Sequence, residues 1–189
     1  MLGGRVKTLR PKVFGGILGR LQNEKDVEEM KQYEIPAFDL VIVDLYPFEE
    51  TVKKTDDPAQ IIEKIDIGGI SLIRAGAKNF NEVVIVPDSK YYLEFMELYK
   101  NQNGCTSIED RKRFAKYAFA TSSHYDGLIY DWFAKDDETA DLNIHIDNRS
   151  ELRYGENPHQ KAVFYGKLDD VFEKLHGKDL SYNNLLDLE

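Results

Sequence analysis

Residues 38–45 read Phe-Asp-Leu-Val-Ile-Val-Asp-Leu, a nearly continuous run of apolar and β-branched side chains. Branching at Cβ crowds a helix and suits an extended chain. A run that does not alternate with polar residues is the pattern of a strand covered on both faces, as in a parallel sheet flanked by helices. Glu82-Val83-Val84-Ile85-Val86-Pro87 is a second run of this kind, stopped by its proline. The expected fold class is therefore α/β.

Between and after these strands the pattern turns helical. Glu24 to Tyr33 reads as a short charged helix with Val27 and Met30 inward, ended at Ile35-Pro36. Asp56-Asp57-Pro58 caps a helix through Lys64. Ser89 to Tyr99 is an amphipathic helix whose Tyr92, Phe95, Met96 and Tyr99 read as core. Ser107 and Asp110 approximate a capping box that opens a long helical segment, with Gly127 as a kink or break. Val13 to Arg20, rich in glycine, reads instead as a loop close to other backbone. Within the long helix, His124 reads as catalytic or, the reading favoured by position, as a hydrogen-bonded helix or interface histidine.

Lys135 to Arg149 is polar, acidic and weakly patterned, as a linker is. Residues 1–135 are expected to form a first domain and 136–150 a linker. The polar loop Leu152 to Gln160 and the strand Ala162 to Tyr165 cannot bury a core alone, so residues 151–189 read as the beginning of a second domain.

A formal net charge of −9 argues against a nucleic-acid surface, although a local basic pocket for a phosphate is compatible with it. Cys105 is the single cysteine, which fits a reducing compartment. No apolar stretch is long enough for a membrane span and no signal peptide is visible, so the expected location is the cytoplasm.

Three stretches carry candidate chemistry. In Ile65-Asp66-Ile67-Gly68-Gly69, followed by an apolar segment to Ala77-Lys78-Asn79, a carboxylate precedes a glycine pair and an amine ends the run. The glycines permit a sharp turn and close approach to a ligand, and the helix that follows offers free N–H groups. The alternative is a turn, a core helix and a terminal lysine favoured by the helix dipole. Nine helical residues measure about 13 Å. Asp66 and Lys78 thus share a pocket only if the ligand lies along the helix or the chain bends back. Arg5-Val6-Lys7-Thr8-Leu9-Arg10-Pro11-Lys12 places four cations in eight residues, suited to clamping a phosphate, or else a solvated basic loop. Asp44 and Tyr46 stand at the carboxyl end of the first strand, where open α/β sheets bind ligands.

Together, Arg5-Val6-Lys7-Thr8-Leu9, Leu45-Tyr46-Pro47-Phe48, Ile65 to Gly69, Ala77-Lys78-Asn79 and Leu152-Arg153-Tyr154-Gly155-Glu156-Asn157-Pro158-His159-Gln160 occur in the order found in the bifunctional purine biosynthesis family. That family joins an IMP cyclohydrolase domain to an AICAR transformylase domain. The resemblance implies a methylglyoxal-synthase-like first domain that closes formyl-AICAR to IMP with loss of water. It implies no metal or cofactor for that step, and 10-formyltetrahydrofolate as co-substrate of the second domain. Arg5, Val6, Lys7 and Thr8 match its nucleotide-binding segment, Val43 with Asp44 and Asp66 with Ile67 its further binding pairs. Lys78 matches its proton donor and acceptor, with Lys7, Tyr46 and Asp66 as the other implicated groups. On this likeness Asp66 orients the carboxamide N–H, and Lys7 and Tyr46 stabilise the oxyanion. Arg153 and Tyr154 match contacts to AICAR. The family forms homodimers.

The likeness also implies a fragment, without the family's opening strand–helix units and most of the transformylase domain, and hence with little turnover alone. The family usually has His where Arg10 and Phe14 stand and often Asn where Asp44 stands. Asp44 brings a second carboxylate into an anion-binding pocket. A non-catalytic phosphate-ligand or allosteric module of the same fold is the alternative function. Methylglyoxal synthase is disfavoured, because the Leu152 to Gln160 segment has no role there.

Overall fold

A computed structural model describes residues 7–144, 146 and 148–188. They pack as two units, one ending at Asp141 and the other beginning at Leu142.

The first unit is α/β. Strand β1, Leu40–Ile42, runs parallel to β2, Val84–Val86, with Val41 opposite Ile85. Only β2 meets the expectation of a strand covered on both sides. Ile85 packs with Ile73 and Ala77 of helix α5 (Gly68–Lys78) and with Ala115 and Ala118 of helix α7 (Ile108–Ala134). Val84 and Val86 point the other way, onto Phe95 and Leu98 of helix α6 (Tyr92–Asn101) and onto Phe114 of α7. Each fully buried side chain of this size contributes about 1.5–3 kcal/mol relative to exposure.

Strand β1 departs from the expectation. Val41, Val43 and Leu45 pack on the core, while Leu40 and Ile42 are 37% and 50% exposed. The alternation of a pleated strand divides the apolar run between two faces. The face carrying Ile42 and Asp44 opens onto a cleft rather than onto a second layer.

Helix α1, Pro11–Leu18, replaces the expected glycine loop. Pro11 occupies the first helical position, where its missing N–H costs nothing. Gly16 faces its neighbours so closely that an added Cβ would stand 2.2 Å from the Pro36 carbonyl oxygen. Its glycine therefore serves helix packing, not chain reversal. Helix α2, Glu24–Gln32, has Asn23 as its cap and buries Met30, but Val27 is exposed, contrary to the inward placement expected.

Two short helices follow β1: α3 (Phe48–Lys54), which has no expected counterpart, and α4 (Pro58–Ile62), capped by Asp57. Phe48, Ile61 and Tyr125 form a third core cluster. In α6 the buried side is Phe95 and Leu98, whereas Met96 and Tyr99 are exposed; the aromatic stripe is only partly core. The Ser107–Asp110 capping box is present and opens α7, which runs unbroken through a buried Gly127.

The second unit holds an antiparallel pair, β3 (Arg149–Glu151) with β4 (Val163–Tyr165), and helix α8 (Tyr182–Leu186), capped by the fully buried Ser181. Among the described residues no helix is long and apolar enough to cross a membrane.

Candidate nucleotide cleft

Asp66 precedes α5 and its own carboxylate closes the start of that helix. Oδ1 accepts from the Gly69 N–H at 2.6 Å and from the Ile70 N–H at 3.2 Å. A helix start carries N–H groups without internal partners, and a carboxylate there is favoured by both hydrogen bonding and the helix dipole. Two of the N–H groups expected to face a ligand are thus occupied by Asp66 itself. Gly69 permits this, since a Cβ there would lie 2.9 Å from both carboxylate oxygens. Oδ2 faces the Tyr46 N–H at 3.4 Å and retains acceptor capacity toward the cleft.

The basic segment reaches this point because α1 lies along α5. At one end Asn79, just past α5, donates from Nδ2 to the carbonyls of Ile17 and Gly19 at 2.8 and 3.0 Å. At the other end Gly68 meets Thr8, whose Oγ1 would be 2.7 Å from a Cβ at that glycine. The two helices therefore run side by side in the same direction, which delivers Lys7 and Thr8 to the start of α5.

The result is an open cleft of about 870 Å³. Lys7, Thr8, Val43, Asp44, Tyr46, Asp66 and Ile67 all line it. Asp44 accepts a hydrogen bond from the Tyr92 hydroxyl at 2.5 Å, and the Asp44 carboxylate raises the Tyr92 phenol above its ordinary value. The Lys64 ammonium lies 5.5 Å from the centre of the Tyr46 ring. Positive, negative and hydroxyl groups are thus presented together beyond the end of β1, as ligand sites in α/β sheets are.

Lys78 is not brought to this cleft. It is exposed at the other end of the 11-residue α5, about 15 Å of helix away from Gly68. Arg5 and Val6 lie outside the described residues. Arg153 and Tyr154 belong to the second unit, where the guanidinium lies 4.8 Å from the tyrosine ring centre. Hydrogen bonds from Ser181 and Arg153 lower the Tyr154 phenol below its ordinary value. His124 keeps a buried Nδ1 without a hydrogen-bond partner, and it does not line the cleft. No group of His, Cys, Asp or Glu able to hold a metal occurs among the described residues.

Sequence reading missed two contributors. Tyr92 and Tyr125 both looked like apolar helix positions, yet their hydroxyls reach Asp44 and the backbone of Asp66. Nothing local distinguishes a core tyrosine from one whose hydroxyl ends on a distant site.

Residues 76–189 match the family model described as AICARFT/IMPCHase bienzyme. Along its full length the chain is 54% identical to the bifunctional purine biosynthesis protein PurH of Bacteroides thetaiotaomicron, covering 37% of that protein. It is 46% identical to the protein of the same name from Microcystis aeruginosa, covering 38% of it. The chain thus spans little more than a third of the length of the curated relatives it matches. Among solved structures, the crystal structure of ForH is similar at 38% identity and a TM-score of 0.59, over 70% of each chain.

Proposed function

Because the chain belongs to the AICARFT/IMPCHase bienzyme family, we propose that its first unit supplies the cleft in which formyl-AICAR is closed to IMP with loss of water. The observation that carries this reading is the convergence of Lys7, Thr8, Val43, Asp44, Tyr46, Asp66 and Ile67 on one open cleft. Ring closure needs the carboxamide nitrogen aimed at the formyl carbon, a group to take its proton, and charge to meet the developing oxyanion. In this reading Asp66 Oδ2 accepts from the carboxamide N–H, while Lys7 and the Tyr46 hydroxyl face the oxyanion. Arg5, Val6 and Thr8 hold the nucleotide with Val43, Asp44 and Ile67. No metal or cofactor enters this step.

Lys78 acts as proton donor and acceptor in this scheme. Its distance from Asp66 along α5 keeps it out of this cleft, so the scheme requires it to act on the cleft of a neighbouring copy in a homodimer. The first unit is read as methylglyoxal-synthase-like. Arg153 and Tyr154 contact AICAR in a second domain that takes its formyl group from 10-formyltetrahydrofolate. The cytoplasm is the matching location.

The test is to supply formyl-AICAR to this chain within a protein of its relatives' full length and follow IMP by chromatography. IMP formation that Asp66→Asn and Lys7→Ala each reduce at least about a hundredfold supports the assignment, since removing one transition-state contact costs about that much. The placement of Lys78 outside the cleft favours a second reading, a module that binds the nucleotide without closing its ring. IMP binding with no conversion of formyl-AICAR would select it.

A further inference from the structure

One phenol holds the two peptide groups that flank Ile65. Tyr125 Oη donates to the Lys64 carbonyl at 2.7 Å and accepts from the Asp66 N–H at 3.0 Å. Both backbone groups need an outside partner. Helix α4 ends before Lys64, and α5 begins at Gly68, after Asp66. Turn hydrogen bonds continuing from α4 reach the Lys64 and Ile65 N–H groups, at 2.9 and 3.1 Å from the Ile61 and Ile62 carbonyls, and leave the Lys64 carbonyl and the Asp66 N–H to Tyr125. Lys64 and Asp66 are partly buried, so leaving these two groups unpaired costs less than the roughly 1–3 kcal/mol of a fully buried one, and Tyr125 is what satisfies them.

Tyr125 is itself held firmly. It is 7% exposed, belongs to α7, and meets the Phe48 ring edge-on with centroids 6.1 Å apart. Burial pushes its phenol up to about 12, and the neutral hydroxyl can donate and accept at once. Asp66 is consequently fixed twice: its backbone by Tyr125 and its carboxylate by the first turn of α5.

We propose that Tyr125 is a positioning residue for the candidate site, setting through the Lys64–Asp66 backbone the direction in which the Asp66 carboxylate faces the cleft. This rests on the reading that the cleft takes a purine nucleotide. Tyr125 does not line the cleft, and its role is exerted entirely through Asp66.

The experiment compares the unmutated protein with Tyr125→Phe, Phe48→Leu, Asp66→Asn and the Tyr125→Phe/Asp66→Asn double variant. Phenylalanine preserves the ring and removes only the hydroxyl. Phe48→Leu loosens the same cluster without touching either hydrogen bond. Amide hydrogen exchange at Asp66, read by NMR, and IMP affinity, read by calorimetry, are measured for each. Tyr125→Phe is expected to speed exchange at Asp66 and to weaken IMP binding about tenfold, the scale of one lost hydrogen bond. In the Asp66→Asn background the same change should cost less than about twofold, because the two residues act as one unit. Equal exchange at Asp66 in Tyr125→Phe and Phe48→Leu, or additive losses of affinity, would overturn the proposal. Absence of IMP binding by the unmutated protein would overturn the nucleotide reading instead. Exchange at Asp66 then decides the positioning role by itself.

Discussion

Gly68 and Thr8 are in close contact: a Cβ on Gly68 would stand 2.7 Å from Thr8 Oγ1. This contact joins the segment before α1 to the start of α5. Gly68→Ala forces Thr8 to turn or withdraw, and Lys7 moves with it. The main expected loss is in binding. IMP affinity should fall about tenfold, the value of a polar contact to a charged group, while the melting temperature changes by only a few degrees. Thr8→Ala in the Gly68→Ala background removes the collision and should recover the melting temperature without recovering affinity. Calorimetric titration and thermal denaturation of the two variants separate these effects.

Lys78 supplies a second prediction. If it serves the cleft of a neighbouring copy, Asp66→Asn and Lys78→Ala proteins are each inactive alone. Mixed and allowed to exchange subunits, they should form pairs with one intact cleft. Random pairing in a two-fold dimer places roughly a quarter of all clefts in that state. Recovery of about that fraction of IMP formation is expected. No recovery after demonstrated subunit exchange would remove Lys78 from the trans arrangement.

The core of the first unit was largely legible in its chain. β2, the capped start of α4 and the capping box of α7 carry local signals strong enough to survive without tertiary information. The errors have a common cause. Gly15 and Gly16 are local breakers by propensity, yet in α1 they are the price of close packing against Ile35, Pro36 and Phe38. Residues 38–45 have one composition on both faces, but the partner on each face is decided elsewhere: core for Val41 and Val43, cleft for Ile42 and Asp44. In the candidate site, the distance separating Asp66 from Lys78 followed from helix geometry alone. The capping of α5 by Asp66 did not, because a glycine pair after an acid fits a ligand-facing turn equally well.

Asp110 predicts acid sensitivity. Its carboxylate accepts from the Ser107 hydroxyl at 2.6 Å, the Ser107 N–H at 3.1 Å and the Gln102 amide at 2.8 Å, with Arg113 3.1 Å away. Chiefly through the Ser107 hydrogen bond, its pKa falls below the ordinary carboxylate value of 3.8. A depressed value in the folded state means that the unfolded chain binds the proton first as pH falls. The contribution of Asp110 is therefore complete above about pH 5 and is lost below the ordinary carboxylate value as the pH falls through the folded one. Asp110→Asn should lower stability at pH 7 and leave a shallower decline in acid. Urea denaturation from pH 7 to pH 3 measures both slopes.

Asn79 gives a test of how α1 is aligned. Its amide donates to the carbonyls of Ile17 and Gly19 while itself 8% exposed, so it closes the end of α1 from a position fixed by α5. Alanine at 79 leaves those two carbonyls without this donor, at a cost of about 1–3 kcal/mol. For a unit ending at Asp141, at about 2–4 °C per kcal/mol, that corresponds to a melting temperature lowered by roughly 2–12 °C. The consequence reaches the cleft because α1 carries Lys7 and Thr8 at its opposite end. Asn79→Ala should therefore also weaken IMP binding, although residue 79 does not line the cleft. Asn79→Asp isolates the cause. It keeps the size but replaces the donor with a carboxylate facing two carbonyl oxygens, and it should impair both properties more than alanine does. Equal affinity for IMP in all three proteins would show that α1 is positioned by the packing of Gly16 and Ile17, with Asn79 contributing to stability alone.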